Sequence, residues 1–331
     1  MTTSIMAREA ASSPTVIRTQ LANNLDTCNA LGERFRQQPP RAIMMIGRGT
    51  SDHAGVFAKY LFEVGCGVPV IAAAPSVAGV FEATLNLEGC VAIVISQSGR
   101  SPDILHQVKL AKAGGAYCVA LVNDTTSPLS EMVDAVLPLQ AGNEKAVAAT
   151  KSYLATLSAL CQLYACWKPD AQLKEALDGL PDCMQKAQEA TPRLRAEDLS
   201  GIAHCVVLGR GFGYAIAREI ALKLKEVLGI HAEAFSSAEF LHGPVTLVEK
   251  KLCVINVSLD DETASFHTSQ LADIAQRGAR VTDISLSTGT HKRLQPLVIM
   301  QRFYLDIEQV AQEMGLDPDT PPGLKKVTET V

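Results

Sequence analysis

The sequence predicts an α/β protein built from two tandem, doubly wound parallel-sheet domains. Two observations carry that expectation. First, the chain repeats itself. Ala42-Ile43-Met44-Met45-Ile46-Gly47-Arg48-Gly49-Thr50-Ser51 is echoed by His204-Cys205-Val206-Val207-Leu208-Gly209-Arg210-Gly211-Phe212-Gly213. Each copy is an apolar strand that ends in Gly-Arg-Gly and leads into a helical pattern. Second, strand and helix patterns alternate, and the strands are apolar on consecutive residues. Such strands are buried on both faces, as in a parallel sheet covered by helices.

The elements follow in order. An N-terminal arm, residues 1–40, carries apolar residues at 17, 21, 25, 28 and 31. That spacing predicts an amphipathic helix over 17–35, packed on the first domain. The first domain, 41–170, opens with strand 42–46, helix 54–65 and strand 68–72. Strand 91–95 and helix 102–113 come next. A polar connection over 171–195 is bordered or interrupted by Pro169, Pro181 and Pro192, and 171–190 retains helical character. The second domain, 196–315, begins with strand 204–208, helix 214–229 and strand 230–234, and later has strand 252–257. Residues 316–331 form a tail.

Composition narrows the function. The chain has 331 residues, 47% hydrophobic and 20% charged, enough for two ordinary domains. Its net charge is −5 and it has no basic tail or stripe, which argues against nucleic acid as the main partner. No apolar run reaches membrane-spanning length, and residues 1–14 lack the basic-then-apolar pattern of a signal peptide. A cytoplasmic protein without a membrane partner is expected. The nine cysteines form no Cys-x-x-Cys pair, so free thiols in a reducing compartment are expected, and no zinc.

The chemistry starts at strand 91–95, which runs into Ser96-Gln97-Ser98-Gly99-Arg100-Ser101 and then a helix. A helix N-terminus offers unpaired N–H groups and a partial positive charge. Ser96, Ser98 and Ser101 add hydroxyls, and Gln97 adds an amide. This suits a phosphate monoester. A Walker-type loop would end in Gly-Lys-Ser/Thr, which is absent here. Taken alone, Ser-x-Ser-Gly also fits an ordinary strand-to-helix turn with a serine cap. Ligands of doubly wound sheets bind outside the carboxyl ends of strands, so 47–51 and 96–101 should face one crevice. Thr50 and Ser51 then join the phosphate cradle. A dinucleotide reading of Gly47-Arg48-Gly49 lacks the third glycine and the acidic residue. The second repeat has Ser258-Leu259-Asp260-Asp261 in place of the serine loop, and its acids would repel phosphate. One phosphate site is expected, in the first domain.

Helix 214–229 has an apolar face at Ile216, Ile220, Leu224 and Val227, with Glu219, Lys223 and Glu226 on the neighbouring stripe. Lys223 and Glu226, three apart, share a face. Most such pairs are solvated salt bridges worth under about 1 kcal/mol. The following segment, 230–244, interleaves titratable and apolar residues, and His242 precedes Gly243-Pro244 on a constrained turn. Glutamate, lysine and histidine this close make an acid–base constellation.

Together these segments resemble the sugar isomerase (SIS) family, whose domains are flavodoxin-like, and within it the isomerase half of glucosamine-6-phosphate synthase. The likeness runs from Met6 to the C-terminus. It is carried by Gly49-Thr50-Ser51, by 96–101, and by Ala141-Gly142-Asn143-Glu144-Lys145-Ala146-Val147-Ala148-Ala149-Thr150-Lys151. Leu222–Glu226, Ile230–Ala234, Glu239–Pro244 and Leu324-Lys325-Lys326-Val327-Thr328 complete it, in the family's order.

The resemblance implies roles. Glu226 is the base that moves a proton between C1 and C2. His242 assists ring opening and reaches the neighbouring subunit's site, which implies a homodimer. Lys326 lies on a mobile tail that covers the sugar and can form a Schiff base, and Lys223 positions the open chain. Ser51, Ser96, Gln97, Ser98 and Ser101 hold the phosphate, and Val147 meets the sugar through its backbone. No metal or organic cofactor is implied. The chemistry suits these residue types: a carboxylate in a closed pocket shuttles protons, a lysine amine takes up a carbonyl, and a lid excludes water. Ala149 stands where the family has a serine, and Arg100, in place of an acid, is expected to add charge beside the phosphate. With no room for a glutaminase domain and no terminal cysteine, the expected reaction is deamination of glucosamine 6-phosphate to fructose 6-phosphate and ammonium through an enolamine. The alternatives are a ketose–aldose phosphate isomerase, a galactosamine-6-phosphate deaminase, a deglycase of sugar-phosphate adducts, and a silent sugar-phosphate sensor.

Overall fold

The structure is a computed structural model that describes residues 3–250, 252–287, 289–324 and 326. It contains two parallel sheets. The first has strands β1 (Ile43–Ile46), β2 (Val70–Ala72), β3 (Val91–Ser96), β4 (Tyr117–Val122) and β5 (Ala135–Pro138), in the order β2-β1-β3-β4-β5. The second has β6 (His204–Gly209), β7 (His231–Ser236), β8 (Cys253–Asn256) and β9 (Arg280–Asp283), in the order β7-β6-β8-β9. The two orders match where they overlap, as two copies of one unit should. The pairing is parallel throughout, with Ile46 opposite Val94 in the first sheet and Cys205 opposite Cys253 in the second.

The apolar runs explain the strands. All of β1 and β3 is buried, so both faces need covering. One face of the first sheet packs Ile46, Val94 and Val122 with Ile104 and Val108 of the Pro102–Ala113 helix. The corresponding core of the second sheet gathers Val206, Leu208, Val254, Phe240 and Ile274.

The Gly-Arg-Gly repeat has a structural counterpart. Gly49 caps the Thr50–Cys66 helix with φ 51° and ψ −124°, and Gly211 caps the Phe212–Leu228 helix with φ 55° and ψ −124°. Both are conformations that glycine reaches without steric cost. The helix patterns read at 54–65 and 214–229 therefore start earlier than their apolar periodicity indicates. Thr50 and Ser51 lie in a helical first turn.

The N-terminal helix runs over Ser13–Gln37. Ile17, Cys28, Leu31 and Phe35 are buried, but Leu25 is 47% exposed. At 3.6 residues per turn Leu25 points about 80° away from Ile17, whereas Gln20 and Asn24 fall on the inner face. Those two amides donate to main-chain carbonyls of Leu139, Ala155 and Pro138. The connection at 171–190 is largely a helix, Ala171–Glu189, with Pro181 inside it.

The described chain divides into two compact units. One contains the first sheet and comprises 15–144, 151–178 and Lys326. The other contains the second sheet, 3–14, 145–150 and the described residues of 179–324. No described helix is long and apolar enough to cross a membrane. The cysteines are free; Cys66, Cys90 and Cys183 are half-buried and the other six buried.

Candidate active site

In the first-sheet unit, the serine loop closes on itself after β3. Ser96 is buried, and its Oγ accepts the Gly99 N–H at 3.0 Å. Gly99 has φ 65°, and a Cβ there would lie 2.1 Å from Ser127 Oγ. Glycine is thus required on two grounds, conformation and space. The Gln97 carbonyl accepts the N–H groups of Asn123 and Asp124, both at 3.3 Å, leaving the half-buried side chain of Gln97 with no hydrogen bond among the described residues. Ser101 occupies the N-cap of the Pro102–Ala113 helix, yet its hydroxyl makes no capping bond. Ser98 Oγ accepts the Arg100 N–H weakly, at 3.4 Å. Thr50 and Ser51 are half-buried in the first turn of the helix that follows β1. Two helix N-termini from neighbouring strands thus converge beside a hydroxyl-rich loop, an arrangement suited to an anion.

Arg100 departs from expectation. Its guanidinium is exposed and ion-paired with Asp124 at 2.8 Å. Hydrogen bonds from Thr126 and Arg100 hold the Asp124 carboxyl down at about 2. The charge expected beside the phosphate is taken up by that carboxylate.

The same unit contains a lysine–carboxylate group that the motif reading left out. Glu144 is buried and accepts the Ser152 N–H at 3.1 Å and the Ser152 hydroxyl at 2.5 Å. Lys326 Nζ lies 3.6 Å from its Oε2. Lys151, also buried, donates to the Asn143 carbonyl at 2.7 Å. Glu144 stands inside the 141–151 motif, so its position was legible but its partner was not. Of the tail assigned to a lid, 316–331, residues 325 and 327–331 lie outside the described residues.

In the second-sheet unit, Val147 is half-buried and its N–H donates to the Asp319 carbonyl at 3.1 Å. Glu9 holds the adjacent N–H groups of Lys145 and Ala146 at 2.6 and 3.2 Å.

The Phe212–Leu228 helix differs from a surface helix. Glu219 and Lys223 are both 0% exposed. Lys223 Nζ lies 3.1 Å from Glu219 and 2.6 Å from Glu226, and Glu219 accepts the hydroxyl of buried Tyr304 at 3.2 Å. The solvated pair anticipated for this stripe is instead a buried triad, because the helix is covered on that side as well as on its apolar face. Burial pulls the Lys223 ammonium down, but Glu219 and Glu226 outweigh it and hold it above the ordinary lysine value. Lys223 therefore stays charged. Glu226, half-buried at the edge of the triad, keeps one oxygen on Lys223 and has a face towards solvent. Only burial separates Glu219 and Lys223 from an ordinary i,i+4 helix pair, and Tyr304 reaches Glu219 from another helix, Gln295–Glu313, so neither Glu219 nor Tyr304 is marked as a site residue by local spacing. His242 lies in the turn after the Ser237–Phe240 helix, exposed, with its N–H on the Glu239 carbonyl at 3.0 Å.

No group of three or more His, Cys, Asp or Glu among the described residues could hold a metal ion.

A family model of the SIS domain matches residues 38–165 and again 198–305. The chain belongs to the SIS domain family. The two matched stretches contain the two parallel sheets. Among relatives of this SIS chain, glutamine–fructose-6-phosphate aminotransferase (isomerizing) of Thermotoga maritima is 33% identical over 311 residues, covering 86% of this chain and 51% of the relative. The chain spans about half the length of the curated relatives it matches. A solved Silicibacter pomeroyi structure, named as a phosphosugar isomerase, superposes with a TM-score of 0.90 at 33% identity, covering 96% of this chain and all of that one. The C-terminal domain of glucosamine-fructose-6-phosphate aminotransferase from Francisella tularensis gives a TM-score of 0.84 at 27% identity, covering 97% and 99%.

Proposed function

We propose that this SIS chain deaminates glucosamine 6-phosphate, giving fructose 6-phosphate and ammonium. The observation that carries the reading is the buried Lys223 clamped between Glu219 and Glu226, with Glu226 still partly open. A charged lysine fixed beside a half-buried carboxylate is a device for proton transfer next to a polar substrate. The relatives interconvert the same carbon skeleton by name, with glutamine as nitrogen donor. With ammonium as the nitrogen product, and run from the amino sugar, the sugar half of that chemistry is deamination.

Each group has a role in this reading. The 96–101 loop, Thr50 and Ser51 bind the phosphate monoester. His242 helps open the ring by protonating its oxygen. Glu226 takes the C2 proton, giving an enolamine, and returns a proton to C1. The C2 imine that results is hydrolysed by water; ammonium leaves and the ketone remains. Lys223 orients the open chain, and Lys326 offers an amine to the ketose carbonyl. Val147 meets the sugar through its backbone. The exposure of His242 fits a homodimer in which this residue serves a second copy's site. Free cysteines fit a cytoplasmic setting.

The test is ammonium release from glucosamine 6-phosphate, with fructose 6-phosphate followed in the same tube. Equal rates of both products are expected. A new aldose or ketose phosphate without ammonium would replace this reading by plain isomerisation. No product, with the sugar phosphate still raising the melting temperature, would favour a sensor or a different amino sugar. Glu226→Gln should abolish turnover and leave phosphate binding intact; retained turnover would remove Glu226 as the base.

A further inference from the structure

We propose that Arg48 is a further phosphate-binding residue of this site, held in place by Asp103. The inference rests on the phosphate-loop reading above and adds to it a cation that the loop itself lacks. β1 and β3 are hydrogen-bonded neighbours with Ile46 opposite Val94. Arg48 and Ser96 each lie two residues further along, so the Gly-Arg-Gly turn and the serine loop leave the sheet side by side. Adjacent strands lie about 4.8 Å apart.

Asp103 stands in the first turn of the Pro102–Ala113 helix and is only 2% exposed. Its Oδ1 accepts the Ile104 N–H at 2.9 Å, and its Oδ2 lies 2.7 Å from Arg48 Nε. A buried carboxylate at the helix end that should receive phosphate would repel it. The Arg48 guanidinium cancels that charge through Nε alone. Its terminal nitrogens make no hydrogen bond among the described residues, and its side chain is 50% exposed. A guanidinium anchored by one edge presents its remaining donors as a fork, the geometry that phosphate oxygens accept in pairs. Arg100, the other arginine of this region, is occupied by Asp124. Arg48 thus selects a doubly charged phosphate monoester over an uncharged sugar.

The test is a calorimetric titration of the full chain with inorganic phosphate, at fixed ionic strength. The comparison is wild type against Arg48→Met/Asp103→Asn, which deletes both charges and leaves no buried carboxylate unpaired. Loss of one charge-assisted fork should weaken phosphate binding about tenfold or more. In turnover, KM for glucosamine 6-phosphate should rise by a similar factor with kcat little changed. Phosphate affinity within about twofold of wild type would overturn the proposal. A wild-type chain that binds no phosphate would overturn both this proposal and the loop reading. The phosphate titration contains no sugar, so it decides the role of Arg48 even if the deaminase reading fails. If the double variant does not fold, Arg48→Gln, whose amide can still donate to Asp103, takes its place with the same expectation.

Discussion

Single side chains in this protein are defined by what surrounds them more than by what they are. Lys223 and Lys225 lie two residues apart on one helix, yet the first is buried between two carboxylates and the second is exposed. Removing one partner of a buried ion pair leaves the other charge unsolvated. Lys223→Met should therefore destabilise the fold by about 3–5 kcal/mol in chemical denaturation; a loss near that of an exposed pair would show the site to be wetter than its burial implies. Lys223 is raised above the ordinary lysine value, so its contribution to stability is complete below pH 10.5 and is lost as pH climbs past the raised value. Native melting temperatures should show no loss from this group across the neutral range.

Among the elements, the two Gly-Arg-Gly turns separate conformational from steric constraint. A Cβ on Gly49 would meet nothing within 4 Å, so Gly49→Ala pays only for its φ of 51°. That strain, in a sparsely populated region at ψ −124°, is about 1–3 kcal/mol. A Cβ on Gly209 would lie 2.4 Å from the Gly213 main chain, so the equivalent substitution there must move backbone. Gly209→Ala should lower the melting temperature clearly more than Gly49→Ala; equal shifts would contradict the close approach. Gly99→Ala meets both constraints within the serine loop and should abolish phosphate binding while the sheets persist, which calorimetry and circular dichroism together would show.

On the scale of the whole molecule, one buried polar cluster couples stability to pH. His267, 2% exposed, bonds Asn256 Oδ1 through Nε2 at 2.7 Å and Ser237 Oγ through Nδ1 at 2.9 Å. Burial and then Arg210 push it below its ordinary value, against Asp283 and Asp261, which pull the other way. The unfolded chain therefore binds a proton that the folded chain refuses. Stability should fall as pH drops below 6.5, the value of an unperturbed histidine, and go on falling to the depressed native value. His267→Gln should flatten the melting-temperature profile in that window. An unchanged slope would assign the acid loss to carboxylates.

Much of this protein was legible in its sequence. The internal repeat and the unbroken apolar strands alternating with helices determined the fold class, because strands that need cover on both faces and are joined by helices pack as a parallel sheet with helices on each side. The strand ends placed the serine loop at the carboxyl edge of the first sheet, where helix N-termini gather. Burial of charge was beyond its reach. Helical spacing put Glu219, Lys223 and Glu226 on one stripe and could not say whether water or protein covered it. Nor could it show that Arg100 turns to Asp124 while Arg48 turns to Asp103. Each of those outcomes depends on which residues distant in the chain arrive beside the charge. Local pattern decides the elements; only packing decides the dielectric and the partners around an ionised group, and so only the tertiary structure decided which of them are available to act.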